Sequence, residues 1–239
     1  RFGAPAVAFV MELGDAPAVT GRADGEGRWR LELPGRAANA STTLTVRSGG
    51  EMLRLTNVAV GDVFLCSGQS NMEFTLRVVT NADGAVGAST NPALRLFNVP
   101  RQSSPKPQAQ FASPVTWQSS APDSARDFSA ACWFMGAELQ RRRQVPVGLI
   151  AASWGGSIIQ DWLSEAGLRR NGGFEDGLAM LALRGTDPAA AQRWLDKELE
   201  RRGFRKFRPV CYLTDEWGCP DQQPVLGIPF YLADPKLRK

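Results

Sequence analysis

The run Val63-Phe64-Leu65-Cys66-Ser67-Gly68-Gln69-Ser70 constrains the fold of this chain more than any other segment. Four apolar residues lead directly into a turn of small and polar ones. A short, uninterrupted apolar run reads as a strand buried on both faces, as in a parallel sheet, rather than as a half-exposed strand. Met72, Leu76 and Val79 then fall near helical spacing, so the strand passes into a helix through residues 67–70. Residues 93–99 and 145–152 supply two further strands, the second with Pro146 at its start and followed by the loop Ser153-Trp154-Gly155-Gly156-Ser157. Strands alternating with helices predict an α/β sheet.

Residues 1–60 follow a different pattern. Arg28-Trp29-Arg30-Leu31-Glu32-Leu33 alternates in the strand period, and Ser41-Thr42-Thr43-Leu44-Thr45-Val46-Arg47 repeats it before Gly49-Gly50, which predicts a small antiparallel module. A helix is expected over 124–144, opened by Ser124 with Asp127, with Phe128, Cys132, Met135 and Leu139 on its apolar face. Arg141, Arg142 and Arg143 suit its C-terminal end. Another helix is expected from 158 to about 165. Asp187-Pro188 marks the start of a later one, carrying Trp194, Leu195 and Leu199 and stopped by Gly203. Residues 209–213 offer a last strand. Glycine and proline make up 40 of 239 residues, so long loops are expected between these elements.

Composition narrows the function. The formal charge is +4, and the basic run from Arg193 to Arg208, with Phe204 and Phe207, reads as a solvated helix end with core-anchoring aromatics rather than a nucleic-acid surface. No apolar run approaches the ~18 residues of a membrane span, so neither nucleic acid nor membrane is an expected partner. Cys66 and Cys132 lie in apolar contexts and read as small buried thiols. Cys211 and Cys219 flank a Trp217-Gly218 turn, where free thiols and a loop disulfide are both open. Without histidine or a C-x-x-C pair, no metal site is expected. The first residue is Arg1, so the start of the chain says nothing about localisation.

The chemistry concentrates on one hydroxyl. A serine at a strand-to-helix turn projects above a sheet, where amides at the helix start can face a developing oxyanion. Ser70 occupies such a position, and Gly68 permits the tight turn. Gly155 and Gly156 follow a separate strand, and in a parallel sheet their amides could converge beside Ser70. Against this, the chain has no histidine at all. A serine hydroxyl is a poor nucleophile until a base takes its proton, and a carboxylate of ordinary pKa near 4 is a weak substitute.

The segment Gly61-Asp62-Val63-Phe64-Leu65-Cys66-Ser67-Gly68-Gln69-Ser70-Asn71-Met72-Glu73 resembles the first block of the sialate O-acetylesterases, carbohydrate esterases of the SGNH hydrolase superfamily. Phe128-Ser129-Ala130 and the stretch from Val145 through Trp154-Gly155-Gly156-Ser157 to Trp162 continue the likeness in the family's order. The resemblance spans about residues 20–165. It implies an α/β, SGNH-hydrolase-like three-layer parallel sheet, here incomplete, with a β-rich module over 1–60, an esterase core over 61–165 and an atypical helical and loop tail over 166–239. It implies Ser70 as nucleophile, Gly155 and Gly156 as oxyanion and substrate-binding donors, Gln69 and Asn71 as supports of the turn, and no cofactor or metal.

The implied substrate is O-acetylated sialic acid or another acetylated sugar. For a bacterial member, periplasm or secretion is open. The family's later glycine-glutamate-serine-asparagine and aspartate-x-x-histidine blocks have no counterpart here, so a carbohydrate-binding pseudoenzyme or structural fragment is the alternative. Trp117, Trp154 and Trp162 could serve such a binder as sugar platforms or simply fill the core. In the tail, Asp215 to Asp221 and Gly227 to Ala233 are similar to a stretch ahead of the zinc-binding helix of some metallopeptidases. The ligand helix itself is missing, so no such activity is inferred.

Overall fold

The computed structural model describes residues 8–102, 104 and 106–201. The expectations for Gly203, the 209–213 strand, the Cys211–Cys219 pair and the 215–233 similarity lie outside them. The chain divides into two compact units. One comprises the described residues up to Val99 together with Val115–Ser153, and the other comprises Pro100–Pro114 and the chain from Trp154 on.

The first unit contains two sheets of four strands each. Strands β1 (Ala8–Leu13), β2 (Val19–Arg22), β3 (Asn39–Ser48) and β4 (Glu51–Val60) form an antiparallel sheet in the order β2-β1-β3-β4. Phe9, Met11 and Val46 make its core, and Trp29, Leu31 and Leu33 pack against them. Residues 28–33 are not the strand that their alternation predicts. Trp29, Leu31 and Leu33 do turn inward while Arg28, Arg30 and Glu32 stay exposed, but the segment is held by side-chain packing, with Trp29 4.5 Å from Phe9 between ring centres, and not by a ladder. A period of two records which side chains are buried. It does not require a hydrogen-bonded neighbour.

The second sheet is built from β5 (Asp62–Gly68), β6 (Asn91–Asn98), β7 (Gln118–Ser120) and β8 (Val147–Ser153), in the order β5-β8-β6-β7. Strands β5, β8 and β6 are parallel, as expected, whereas β7 adds an antiparallel edge. The fold is thus α/β with mixed sheet pairing. One face of β5 and its neighbours is packed: Cys66, Leu94, Leu96, Val147 and Leu149 are buried with Phe128, and Phe64 packs against them. Val63 and Leu65 alternate to the other face and remain 61% and 67% exposed. The apolar run therefore overstates the burial of this strand.

Gly61 fixes where β5 begins. A Cβ at this position would stand 2.0 Å from the Pro146 carbonyl oxygen, the same oxygen that accepts the Asp62 N–H at 3.0 Å. Arg143 adds an ion pair to the Asp62 carboxylate at 2.9 Å. Because the obstacle is backbone, Gly61→Ala is expected to push the starts of β5 and β8 apart and lower stability by about 1–3 kcal/mol, the usual cost of overpacking. Urea denaturation measures this, and a loss below about 0.5 kcal/mol, the range of neutral surface changes, would show that the strands yield without cost.

Among the described residues, four α-helices and one 3₁₀ turn (Leu76–Val78) complete the unit, the α-helices being α1 (Ser70–Glu73), α2 (Ala82–Gly87), α3 (Pro122–Ala125) and α4 (Ala130–Arg143). The single helix expected over 124–144 is two, broken at residues 126–129. Ser124 turns its hydroxyl back to the Ser119 carbonyl at 2.7 Å, and Ser129 caps α4 by accepting the Cys132 N–H at 3.3 Å. Starting the helix at 130 changes its inner face. Cys132, Trp133 and Gly136 are buried, Phe128 lies outside the helix, and Met135 is 40% exposed instead of facing the core. Gly136 lets α4 lie on β8, since a Cβ there would meet the Leu149 side chain at 2.5 Å. Arg141 and Arg142 both bond Glu138, and these hydrogen bonds, the Arg141 bond first, hold its carboxyl at about 2 against an ordinary value of 4.5.

The second unit contains α5 (Glu165–Asn171), α6 (Glu175–Thr186) and α7 (Pro188–Arg201). Asp187 caps α7 as expected, its carboxylate accepting the Ala190 N–H at 2.9 Å. Helices α6 and α7 pack on each other and carry the buried residues Leu178, Met180, Ala191 and Leu195.

Candidate active site

Ser70 is the first residue of α1, directly beyond the carboxyl end of β5. Hydrogen bonding inside the turn begins with Met72 N–H to the Gln69 carbonyl at 2.9 Å, followed by Glu73 N–H to the same oxygen at 3.0 Å. The amides of Ser70 and Asn71 precede those donors, as the first amides of a helix do. Gln69, Ser70 and Asn71 are all exposed. Gly68 makes the turn possible: its φ is +146°, and a Cβ would come within 2.8 Å of the Met72 side chain. That conformation is close to glycine-only territory.

The turn is clamped from the far side of the chain. Ala130 N–H donates to the Phe74 carbonyl at 2.8 Å, Leu76 N–H to the Phe128 carbonyl at 3.0 Å and Arg77 N–H to the Arg126 carbonyl at 2.9 Å. The Phe128-Ser129-Ala130 motif is therefore the counter-strand that seats the residues following Ser70. Sequence reasoning missed this role, because the partners are some fifty positions apart and no local period announces them.

Cys66 and Cys132 correct a second expectation. They are buried, as predicted, but joined in a disulfide with Cα atoms 5.9 Å apart, not free thiols. One half belongs to β5 and the other to the first turn of α4. Apolar surroundings signalled the burial of each cysteine and gave no hint of the pairing.

Gly155 and Gly156 lie in the second unit, in a loop organised by its own side chains. Gly156 has φ +78° with open space where a Cβ would be, the left-handed conformation that favours glycine. Ser157 is buried and donates its hydroxyl to the Trp154 carbonyl at 2.7 Å, while Trp162 Nε1–H donates to the Ser157 hydroxyl at 3.0 Å. Asp161 accepts the Ile158 N–H at 2.9 Å. The helix expected from 158 is one tight turn, Ile159–Trp162, closed by these bonds. Ser157, Asp161 and Trp162 thus account for much of the second motif as loop structure. Trp162 is 39% exposed and Trp154 half-buried. In the first unit, Trp117 is 45% exposed and stands 5.2 Å from Phe97 between ring centres.

Residues 60–176 match the family model for the carbohydrate esterases described as sialic acid-specific acetylesterases. The chain resembles this esterase family. Human sialate O-acetylesterase is 32% identical over 146 residues, which cover 58% of this chain and 28% of that protein. The mouse sialate O-acetylesterase is 30% identical over 165 residues, covering 64% of this chain and 30% of its relative. A crystal structure of a carbohydrate acetylesterase from Xanthomonas citri superposes with a TM-score of 0.65 at 35% identity, over 69% of this chain and 37% of that one. The chain thus spans less than a third of the length of the curated acetylesterases it matches. The family's α/β fold extends to it through the structural match.

Proposed function

We propose that this chain belongs to a carboxylic-ester hydrolase that removes acetyl groups from O-acetylated sugars, with Ser70 as nucleophile. The observation that carries this reading is the geometry of one turn: an exposed serine at the carboxyl end of a parallel strand, on a glycine-enabled bend, with two helix-start amides free of intrahelical bonds. Ser70 Oγ attacks the acetyl carbonyl, and the oxyanion is received by the Ser70 amide, with Gln69 and Asn71 shaping the turn; Gly155 and Gly156 are proposed as further donors by family likeness alone. Collapse expels the sugar hydroxyl and leaves acetyl-Ser70. Water then releases acetate. Sialic acid is the proposed sugar by family likeness, and an SGNH-type three-layer sheet the proposed full architecture.

A disulfide suits an oxidising compartment, so periplasm or secretion is the proposed location.

No residue of this chain can act as an imidazole base, since none of its 239 residues is histidine. That observation favours a second reading, a carbohydrate-binding pseudoenzyme. Added imidazole separates the two. For an esterase, acetate release from an O-acetylated sugar rises at least about tenfold with imidazole, part of the 10²–10⁴ that a positioned base contributes, and Ser70→Ala abolishes the rise. An equal rise in Ser70→Ala would reject Ser70 chemistry. Saturable sugar binding without release at any imidazole concentration would favour the pseudoenzyme.

A further inference from the structure

A helix of four residues cannot hold its own position, because helix nucleation is unfavourable and short helices are marginal without tertiary support. The placement of Ser70 must therefore come from tertiary support. Met72 of α1 packs against the core cluster, and two connections hold the chain on either side of the helix. Downstream, Phe74 is tied to Ala130 by the 2.8 Å hydrogen bond. Upstream, Cys66 is tied to Cys132, two residues further along α4. Together they close a ring: residues 66–74, the Phe74–Ala130 hydrogen bond, residues 130–132 and the disulfide. Ser70 is the middle residue of the 66–74 arc. Both sulfur-bearing residues are buried, at 6% and 1% exposure, so the covalent closure lies beneath the turn and leaves its outer surface open.

We infer that the Cys66–Cys132 disulfide is the positioning element of Ser70, so that the turn is ordered in the oxidised protein and loosened in the reduced one. This rests on the Ser70 reading for its catalytic meaning but not for its physical content. A dithiol reductant transfers two electrons and two protons, itself becoming a disulfide and leaving Cys66 and Cys132 as thiols. The hydrogen-bonded half of the ring then remains alone. The parallel sheet keeps its ladder and its buried side chains, so the loss is local to residues 68–74.

The test is backbone ¹⁵N relaxation on the full chain before and after dithiothreitol, with the thiols mapped by alkylation and mass spectrometry. Order parameters over residues 69–73 are expected to fall from about 0.85, typical of rigid backbone, to below about 0.6 on reduction. Those over residues 94–97 of β6 should stay unchanged, and reoxidation should restore the turn. The double variant Cys66→Ala/Cys132→Val, which keeps the site filled, should reproduce the reduced state. Unchanged order at 69–73, an equal fall across the second sheet, unfolding of both reduced protein and variant, or free Cys66 and Cys132 thiols in protein purified without reductant would each overturn the inference. Acetate release from the same oxidised sample decides the esterase reading separately: its absence with imidazole present sinks that reading and leaves the order parameters to decide this one.

Discussion

Replacing Cys66 and Cys132 together by alanine is expected to lower the free energy of unfolding by about 4 kcal/mol, with cooperative unfolding retained. The bond joins residues 66 positions apart. In the chain-entropy account, a cross-link across a loop of that size restricts the unfolded ensemble by an amount between the ~3 kcal/mol of a short loop and the ~4.7 kcal/mol of a hundred-residue one. The enclosed loop contains α1, α2, β6, β7 and α3, elements that must all be ordered on folding, so the restriction acts on much of the second sheet. Small cavities left by the two alanines add to the loss, and residual structure in the reduced chain subtracts from it. Urea titration measures the difference. The slope with denaturant should also rise, because an uncrosslinked chain exposes more surface on unfolding. A midpoint shift worth less than about 1 kcal/mol with no change in slope would mean that the bond closes a loop the unfolded chain already keeps closed.

Legibility in the sequence followed the range of the interactions. Strands β5, β6 and β8 and the turn at Ser70 could be read locally, because apolar runs, glycine and the change of period all lie within a dozen residues. Non-local pairing defeated the same method. The helix expected through 124–144 breaks because the carbonyls of Arg126 and Phe128 are engaged by the amides of Arg77 and Leu76, a bonding pattern incompatible with continuing the helix through them. Residues 28–33 carry a strand period without a strand because a core can bury alternate side chains of an extended segment that joins no ladder. Likewise, the Trp154–Trp162 motif was legible as a likeness but not as a mechanism: that Ser157 gathers the Trp154 carbonyl and the Trp162 indole could be known only once the turn was built. The redox state of Cys66 and Cys132 was illegible for a related reason. Burial is written in neighbouring residues, whereas a disulfide depends on where another element arrives.

Phe128→Ala should cost about 3–5 kcal/mol, the usual penalty for emptying a buried aromatic site. Its side chain is fully buried, in the cluster that also holds Leu76, Leu94, Val147 and Leu149. Its backbone is engaged in both directions, N–H to the Ala125 carbonyl at 3.0 Å and carbonyl to Leu76 N–H. Phe128→Leu should lose substantially less, because most of the volume remains. The side chain thus anchors the same segment whose backbone receives the residues after Ser70. Cys132 belongs to that cluster too, so the phenylalanine and the disulfide support one structure from two sides, and contacting residues are expected to be non-additive. Combining Phe128→Ala with Cys66→Ala/Cys132→Ala should therefore depart from the sum of the separate losses by more than about 0.5 kcal/mol, the limit within which independent sites add. Additivity within that limit, measured by urea denaturation of all four proteins, would mean that the packing and the cross-link stabilise separate parts of the unit and would break the link drawn between Phe128 and the seat of Ser70.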